Sequence, residues 1–203
     1  MTPGPRQGRW GRASPAGDEE ARQLILQAAA KCFDAEGPIR ATVDDIARVA
    51  SVHRTTVYKY FSNRQAIISG VLLWEAQELI TEAAAFYESS GTLAERFAKA
   101  FQHVAEGVRE SRVLRRLFDP DAIDMVVQAT ATSGEFRSLV STALDPEVTL
   151  AAERGELRAD LDVEEVVQWL GTISLLPLGE AFRDDGFSAS DAMRRYVLPG
   201  ICD

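Results

Sequence analysis

A chain of 203 residues, 46% of them hydrophobic, is long enough to bury a core as one large domain or two small ones. No stretch approaches the ~18 uninterrupted apolar residues of a membrane span, and the N-terminus lacks the apolar run of a secretory signal. A cytoplasmic protein with no membrane partner is therefore expected. The net charge of −9 argues against a nucleic-acid partner until the chain is divided: residues 1–64 hold 10 basic and 7 acidic side chains, the remainder 12 basic and 24 acidic. A basic head on an acidic body is compatible with phosphate contact, because the field that matters is local and is screened within about 8–10 Å at physiological salt.

Residues 1–17 are rich in Pro, Gly and Arg without periodicity, and form a flexible basic arm that cannot bury apolar surface. Two readings stand for Arg6, Arg9 and Arg12: contacts to phosphate or a minor groove, or a solvated tail with no fixed role. A helix is predicted over 18–35, with Leu24, Ile25, Ala28, Cys32 and Phe33 inward and Gly37 as its stop. The two cysteines lie near opposite ends of the chain, and Cys32 falls on that apolar stripe as a small buried hydrophobe.

In the stretch 42–68, Thr42 and Asp45 form a capping-box pair opening a short helix. Its apolar stripe is Val43, Ile46, Ala47 and Ala50, recurring at three- and four-residue spacing. A tight break at Ser51-Val52-His53 leads into a second short helix, with Val57 and Phe61 inward and Arg54, Thr55, Tyr58 and Lys59 outside. The pair reads as helix-turn-helix, whose second helix enters the DNA major groove. The turn calls for positive φ at Ser51, which costs a non-glycine residue on the order of 1–2 kcal/mol. Ser62 and Gln65 have the spacing of a second capping box opening a fourth helix.

Beyond residue 68 the pattern is helical, with no alternating β-branched run that reads as a strand. A fourth helix carries Ile67, Val71, Trp74 and Ile80. Thr92 caps a fifth, with Leu93, Phe97, Phe101, Val104 and Val108 on one face. Shorter pieces hold Leu114, Leu117 and Phe118, then Ile123, Met125 and Val126. A helix starting near Gly134 carries Phe136, Leu139 and Val140, and Asp145-Pro146 marks a new start or a kink. Asp162 caps a very apolar helix over 163–176, followed by a last one over 189–198. Apolar residues on more than one face of the 163–176 helix require burial on more than one face, either inside its own domain or against a second subunit.

The 42–68 stretch resembles the TetR family of bacterial regulators, whose pattern is met by Thr42, Ile46, Ala47, Ala50, Val52, Thr56, Val57, Tyr58, Tyr60, Phe61 and Ile67. Ser51, His53 and Arg64 depart from it, standing where Gly, Ser and Lys are usual. The resemblance covers about a quarter of the chain, with a looser echo at 153–176, where R-G-E-L-R leads through an acidic turn into the apolar helix. It implies an all-α fold: a helix-turn-helix DNA-binding domain over 18–64 and a helical effector-binding and dimerisation domain over 65–203. It further implies a homodimer on a palindromic double-stranded operator, a repressor released by a small-molecule effector. The dimer interface it implies joins Val163, Val166, Val167, Leu170 and Ile173 to Met193, Tyr196 and Val197 in a four-helix arrangement.

Donor chemistry divides the head. Arg54 suits a bidentate contact to guanine and Thr55 a base edge or thymine methyl. Thr42, Thr56, Tyr58, Lys59 and Tyr60 suit phosphates, which position without reading sequence. For Tyr60 the other reading is packing against the first helix, and for His53 the choice lies between a phosphate contact and merely ending the turn. The effector candidates are Trp74, Phe97, Phe101, His103, Val104, Phe118, Met125, Gln128, Phe136 and Trp169, each of which alone also reads as core. Together they suggest an apolar or aromatic ligand oriented by His103 and Gln128. No nucleophile–base pair, metal-ligand cluster or phosphate-cradling glycine loop is present, so no catalytic residue, metal or cofactor is expected. The remaining alternatives are a helical scaffold or adaptor without DNA binding, or an enzyme.

Overall fold

The structure, a computed structural model, describes residues 17–175 and 189–202. Arg6, Arg9 and Arg12 of the arm, and Leu176, lie outside the described residues. Helix α1 (Asp18–Glu36) ends where Gly37, at φ 79°, donates its N–H to the Phe33 carbonyl. Helices α2 (Val43–Val49) and α3 (Arg54–Tyr60) follow, then the long α4 (Arg64–Ala84). A 3₁₀ turn (Ala85–Glu88) leads to α5 (Leu93–Glu110), α6 (Arg112–Leu117), α7 (Ile123–Ala131), α8 (Gly134–Glu153) and α9 (Val163–Ile173). The last helix, α10 (Ala189–Ala192), widens into a π turn (Met193–Val197) and closes in a 3₁₀ turn (Leu198–Gly200). The fold is all-α; among the described residues there is no strand, only an isolated bridge between Leu157 and Cys202.

The head forms because three amphipathic helices share one set of apolar side chains: Ile25 and Phe33 of α1, Ile46 of α2, Val57 of α3, and Phe61 just beyond it. Thr42 caps α2 in a full capping box with Asp45. Leu26, rather than Leu24, completes the buried face of α1, because Leu24 lies only half inside. The cap of α4 is also displaced from the predicted Ser62: Asn63 accepts the Ala66 N–H at 2.8 Å.

Ser51 is the one positive-φ residue other than glycine among the described residues, at φ 55°. Its side chain is exposed, so the strain is unrelieved by packing. Ser51→Gly should remove about 1–2 kcal/mol of left-handed strain against some added unfolded-state entropy, a net gain of roughly 0.5–1 kcal/mol. A urea titration checks this, with a higher midpoint and an unchanged slope expected.

Helix α4 runs from the head into the body, packing on α1 at one end and on α5, α7 and α8 along its length. The body core gathers Val71, Phe101, Phe118, Val148 and Leu170. Pro146 lies inside the continuous α8, so no new helix starts at Asp145-Pro146. Helices α8 and α9 approach closely because residue 171 is glycine: a Cβ there would collide with the Val140 side chain.

The R-G-E-L-R segment has a structural role. Glu156 accepts the first N–H of α5 from Leu93, and Arg158 donates to the Gly200 carbonyl at 3.0 Å. With the Leu157 bridge, these contacts fasten the chain's C-terminal turn to the loop before α9.

Candidate nucleic-acid interface and effector cavity

Helix α3 turns Thr56 and Val57 inward and leaves Arg54, Thr55, Tyr58 and Lys59 on the surface. Burial of Thr56, at 2% exposure, removes it from the predicted phosphate contacts; its Oγ1 has no hydrogen-bond partner among the described residues. Thr42 is exposed, but its hydroxyl is engaged in the capping box, where the Thr42 hydrogen bonds, followed by Arg48, hold the Asp45 carboxyl below its usual range. His53 occupies the N-cap position of α3 and is exposed, with no side-chain capping bond.

The two cations of α3 are held differently. The Arg54 guanidinium donates to Tyr58 Oη at 3.2 Å and to Asp44 Oδ2 at 3.0 Å, with its carbon 5.4 Å from the Tyr58 ring centroid. The Tyr58 hydrogen bond, then the Asp44 charge, raise its already high pKa, so it is a permanent cation. Lys59 Nζ lies 3.0 Å from Asp18 Oδ1 and 3.1 Å from Tyr60 Oη. Tyr60 donates its hydroxyl to Asp18 at 2.8 Å, which places it against the start of α1, the packing position. Hydrogen bonds from Lys59, then Tyr60, lower the Asp18 pKa.

Two arginines outside the predicted set hold this surface in place. Arg22 of α1 donates to the Tyr60 carbonyl at 3.2 Å, stacks over Phe61 at 4.5 Å, and pairs with Glu135 at the start of α8 at 2.7 Å. Arg64 donates to the carbonyls of Pro38, Ile39 and Ala41, tying the first residue of α4 to the α1–α2 loop. Its departure from the lysine of the family pattern is the signal available in the sequence: a guanidinium can reach several carbonyls at once, where an ammonium is a point donor.

In the body, a cavity of about 120 Å³ lies among α4, α5, α8 and α9. Of the predicted effector residues, Phe97, Phe101, Val104, Phe118 and Phe136 line it. The other five do not. Trp74 and Trp169 are 39% and 44% exposed. On α4 the lining positions are Leu72, Leu73, Ala76, Ile80 and Ala83, and Trp74 is turned about 100° from Leu73. His103 pairs at the surface with Glu82 at 2.9 Å and stacks against Phe86. Met125 and Gln128 belong to α7, which gives no residue to the lining. Among the described residues the polar groups of the wall are instead Tyr87 and Ser174, which lie in a turn and at a helix end that periodicity does not pick out.

The predicted interface residues Val166, Val167, Leu170, Met193 and Val197 are buried within their own subunit, with Leu170 wholly inaccessible. Helix α9 packs on α8 and, more lightly, on α7, which cover its Val166, Val167 and Leu170. Val163 and Ile173 are half-buried, and Tyr196 is 73% exposed.

Residues 25–71, the head and the first turns of α4, match the family model of bacterial regulatory proteins, tetR family. The chain is similar to the HTH-type transcriptional regulator SrpR of Pseudomonas putida, 43% identical over 61 residues, 30% of this chain and 29% of SrpR. It thus spans less than a third of that relative's length in the match. The probable HTH-type transcriptional regulator ArpR of Pseudomonas putida is 26% identical over 156 residues, 72% of each chain. Among solved structures, the TetR-family transcriptional repressor QsdR of R. erythropolis superposes with a TM-score of 0.64 at 19% identity, covering 92% of this chain and 98% of QsdR. Helix-turn-helix geometry and an all-helical body agree with these likenesses: residues 25–71 carry the DNA-binding region of the tetR family of bacterial regulatory proteins, and the chain as a whole is similar in fold to a TetR-family repressor.

Proposed function

We propose that the protein is a homodimeric, sequence-specific DNA-binding repressor, released from a palindromic operator by a small apolar or aromatic effector. The observation that carries this reading is the exposed face of α3: Arg54, Thr55, Tyr58 and Lys59 stand clear of the core on a helix that the head presents rigidly. A scaffold or adaptor would leave that face without a use. Arg54 and Thr55 reach base edges, while Tyr58, Lys59 and the exposed His53 meet phosphates. Thr42 fixes the start of α2 through its capping box, and Tyr60 positions Lys59.

The same helix, α4, both walls the cavity and begins at the head, so an occupant that shifts α4 shifts α3 with it. A second link runs through α8: Phe136 lines the cavity, and the adjacent Glu135 holds Arg22, which holds the Tyr60 carbonyl. An effector acts by favouring the spacing of the two heads that does not fit DNA, and shifts the population by no more than its differential affinity for the two arrangements. The dimer surface in this reading is built from the exposed side of α9 and the C-terminal turn, around Val163, Trp169, Ile173 and Tyr196.

Sedimentation of the full chain with palindromic fragments of the DNA upstream of its own gene tests the proposal. A dimer alone, and a complex of two chains per fragment that random duplex does not form, is the expected result. No complex with any upstream fragment would favour the scaffold reading.

A further inference from the structure

We infer that the body cavity takes a neutral molecule about the size of one aromatic ring, carrying a single hydrogen-bond acceptor that the Tyr87 hydroxyl binds. This rests on the effector reading above and adds the chemistry of the ligand. Size comes first. The cavity measures about 120 Å³, somewhat less than the roughly 150 Å³ apolar protein cavity that accepts benzene. A single ring is therefore the largest body it takes. A short substituent on that ring needs a slight shift of the wall, and a fused or long-chain molecule does not fit without larger expansion.

Polarity then narrows the class. Apart from Tyr87 and Ser174, every described residue of the wall is apolar, four phenylalanines among them. Ser174 already donates its hydroxyl to the Leu170 carbonyl at 2.6 Å. Tyr87 makes no hydrogen bond to a described residue, so its O–H is the donor left for a ligand. Burial, then the nearby Glu147 charge, raises the Tyr87 pKa, so the phenol stays protonated and its O–H is available to donate.

Charge weighs against an anion. Among the described residues no cation lines the cavity, and the buried cation of this region, Arg96, is engaged by Glu147 at 2.6 Å, Glu156 at 3.3 Å and the Gly91 carbonyl. A carboxylate entering the cavity would lose its hydration without gaining a partner and would meet the field of Glu147. A neutral ketone, ester or ether oxygen loses little hydration and gains the Tyr87 hydrogen bond.

Calorimetric titration of the full chain with acetophenone, ethylbenzene and benzoate, repeated on Tyr87→Phe, tests this. Acetophenone is expected to bind the parent at least roughly tenfold more tightly than benzoate, the ratio that an unpaired buried charge readily exceeds. Tyr87→Phe should weaken acetophenone by roughly five- to tenfold, the range of one net hydrogen bond, and leave ethylbenzene within about twofold. Benzoate binding as tightly as acetophenone, equal weakening of all three probes in Tyr87→Phe, or no binding of any probe to the parent would overturn the inference. The comparison among probes on the parent stands even if the variant misfolds. Operator binding is measured on the same samples without probe. Operator bound and probes unbound removes the cavity chemistry alone; probes discriminated and operator unbound removes the DNA-binding reading alone.

Discussion

Glu147→Ala is expected to lower the stability of the fold by about 3 kcal/mol or more. Arg96 of α5 is 2% exposed and Glu147 of α8 is 6% exposed, and their 2.6 Å contact joins the two helices that flank the cavity. Removing the carboxylate leaves a guanidinium with most of its hydration already gone and only Glu156 and the Gly91 carbonyl to meet it. Breaking a buried ion pair from one side typically costs about 3–5 kcal/mol; the two remaining partners keep the cost at the lower end. The paired replacement Arg96→Met with Glu147→Leu should cost far less than Glu147→Ala, because it removes the desolvated charges together. Chemical denaturation of the three proteins is the measurement. If Glu147→Ala lies within about 1 kcal/mol of the parent, the pair is solvated and the body is looser than its packing suggests.

That ion pair also shows where the sequence is readable and where it is not. Arg96 interrupts the apolar stripe of α5, between Leu93 and Phe97, and Glu147 interrupts that of α8, between Leu144 and Val148. Opposite charges on the buried stripes of two helices are a visible signal of a buried pair, yet nothing in periodicity says which helices face each other. The helix-turn-helix is legible because its constraints are local: the stripe of α2, the cap at Thr42 and the left-handed Ser51 each follow from a few adjacent residues. Thr56 departs from its expected surface position because threonine suits either side of a short helix and only the rotation of α3 decides. Ser62 and Asn63 are both good caps one residue apart, and the sequence does not rank them.

The cavity is the least legible feature. Its lining and the solid core are made of the same residue types at the same spacing, so Phe97 and Trp74 look alike until their angular positions are known. The double-faced apolarity of α9 implies a second covering surface. For Val166, Val167 and Leu170 the cover is α8 together with α7, within the same subunit. A charge placed at Val167 or Leu170 would therefore unfold the subunit rather than part a dimer.

The second large effect concerns DNA. Arg54→Ala should cost roughly 1–3 kcal/mol of operator affinity and relax preference at one base pair in each half-site, because its planar fork matches guanine. In the free protein the guanidinium lies over Tyr58 and pairs with the exposed Asp44, a partner that the proposed base contact would replace. Lys59, five residues on and anchored beside Asp18 and Tyr60, is a point charge suited to the backbone. Lys59→Ala should weaken all sequences about equally and make the salt dependence shallower by about one unit for each phosphate that is no longer neutralised.

A salt titration of the parent, Arg54→Ala and Lys59→Ala against the operator and its single-base variants therefore tests the central claim most directly. Loss of base preference in Arg54→Ala with a nearly parental salt slope, and the reverse in Lys59→Ala, is the expected result. If Arg54→Ala weakens every sequence alike while Lys59→Ala alters base preference, α3 lies in the groove in another orientation. If neither substitution changes affinity, α3 does not read DNA and the account is wrong.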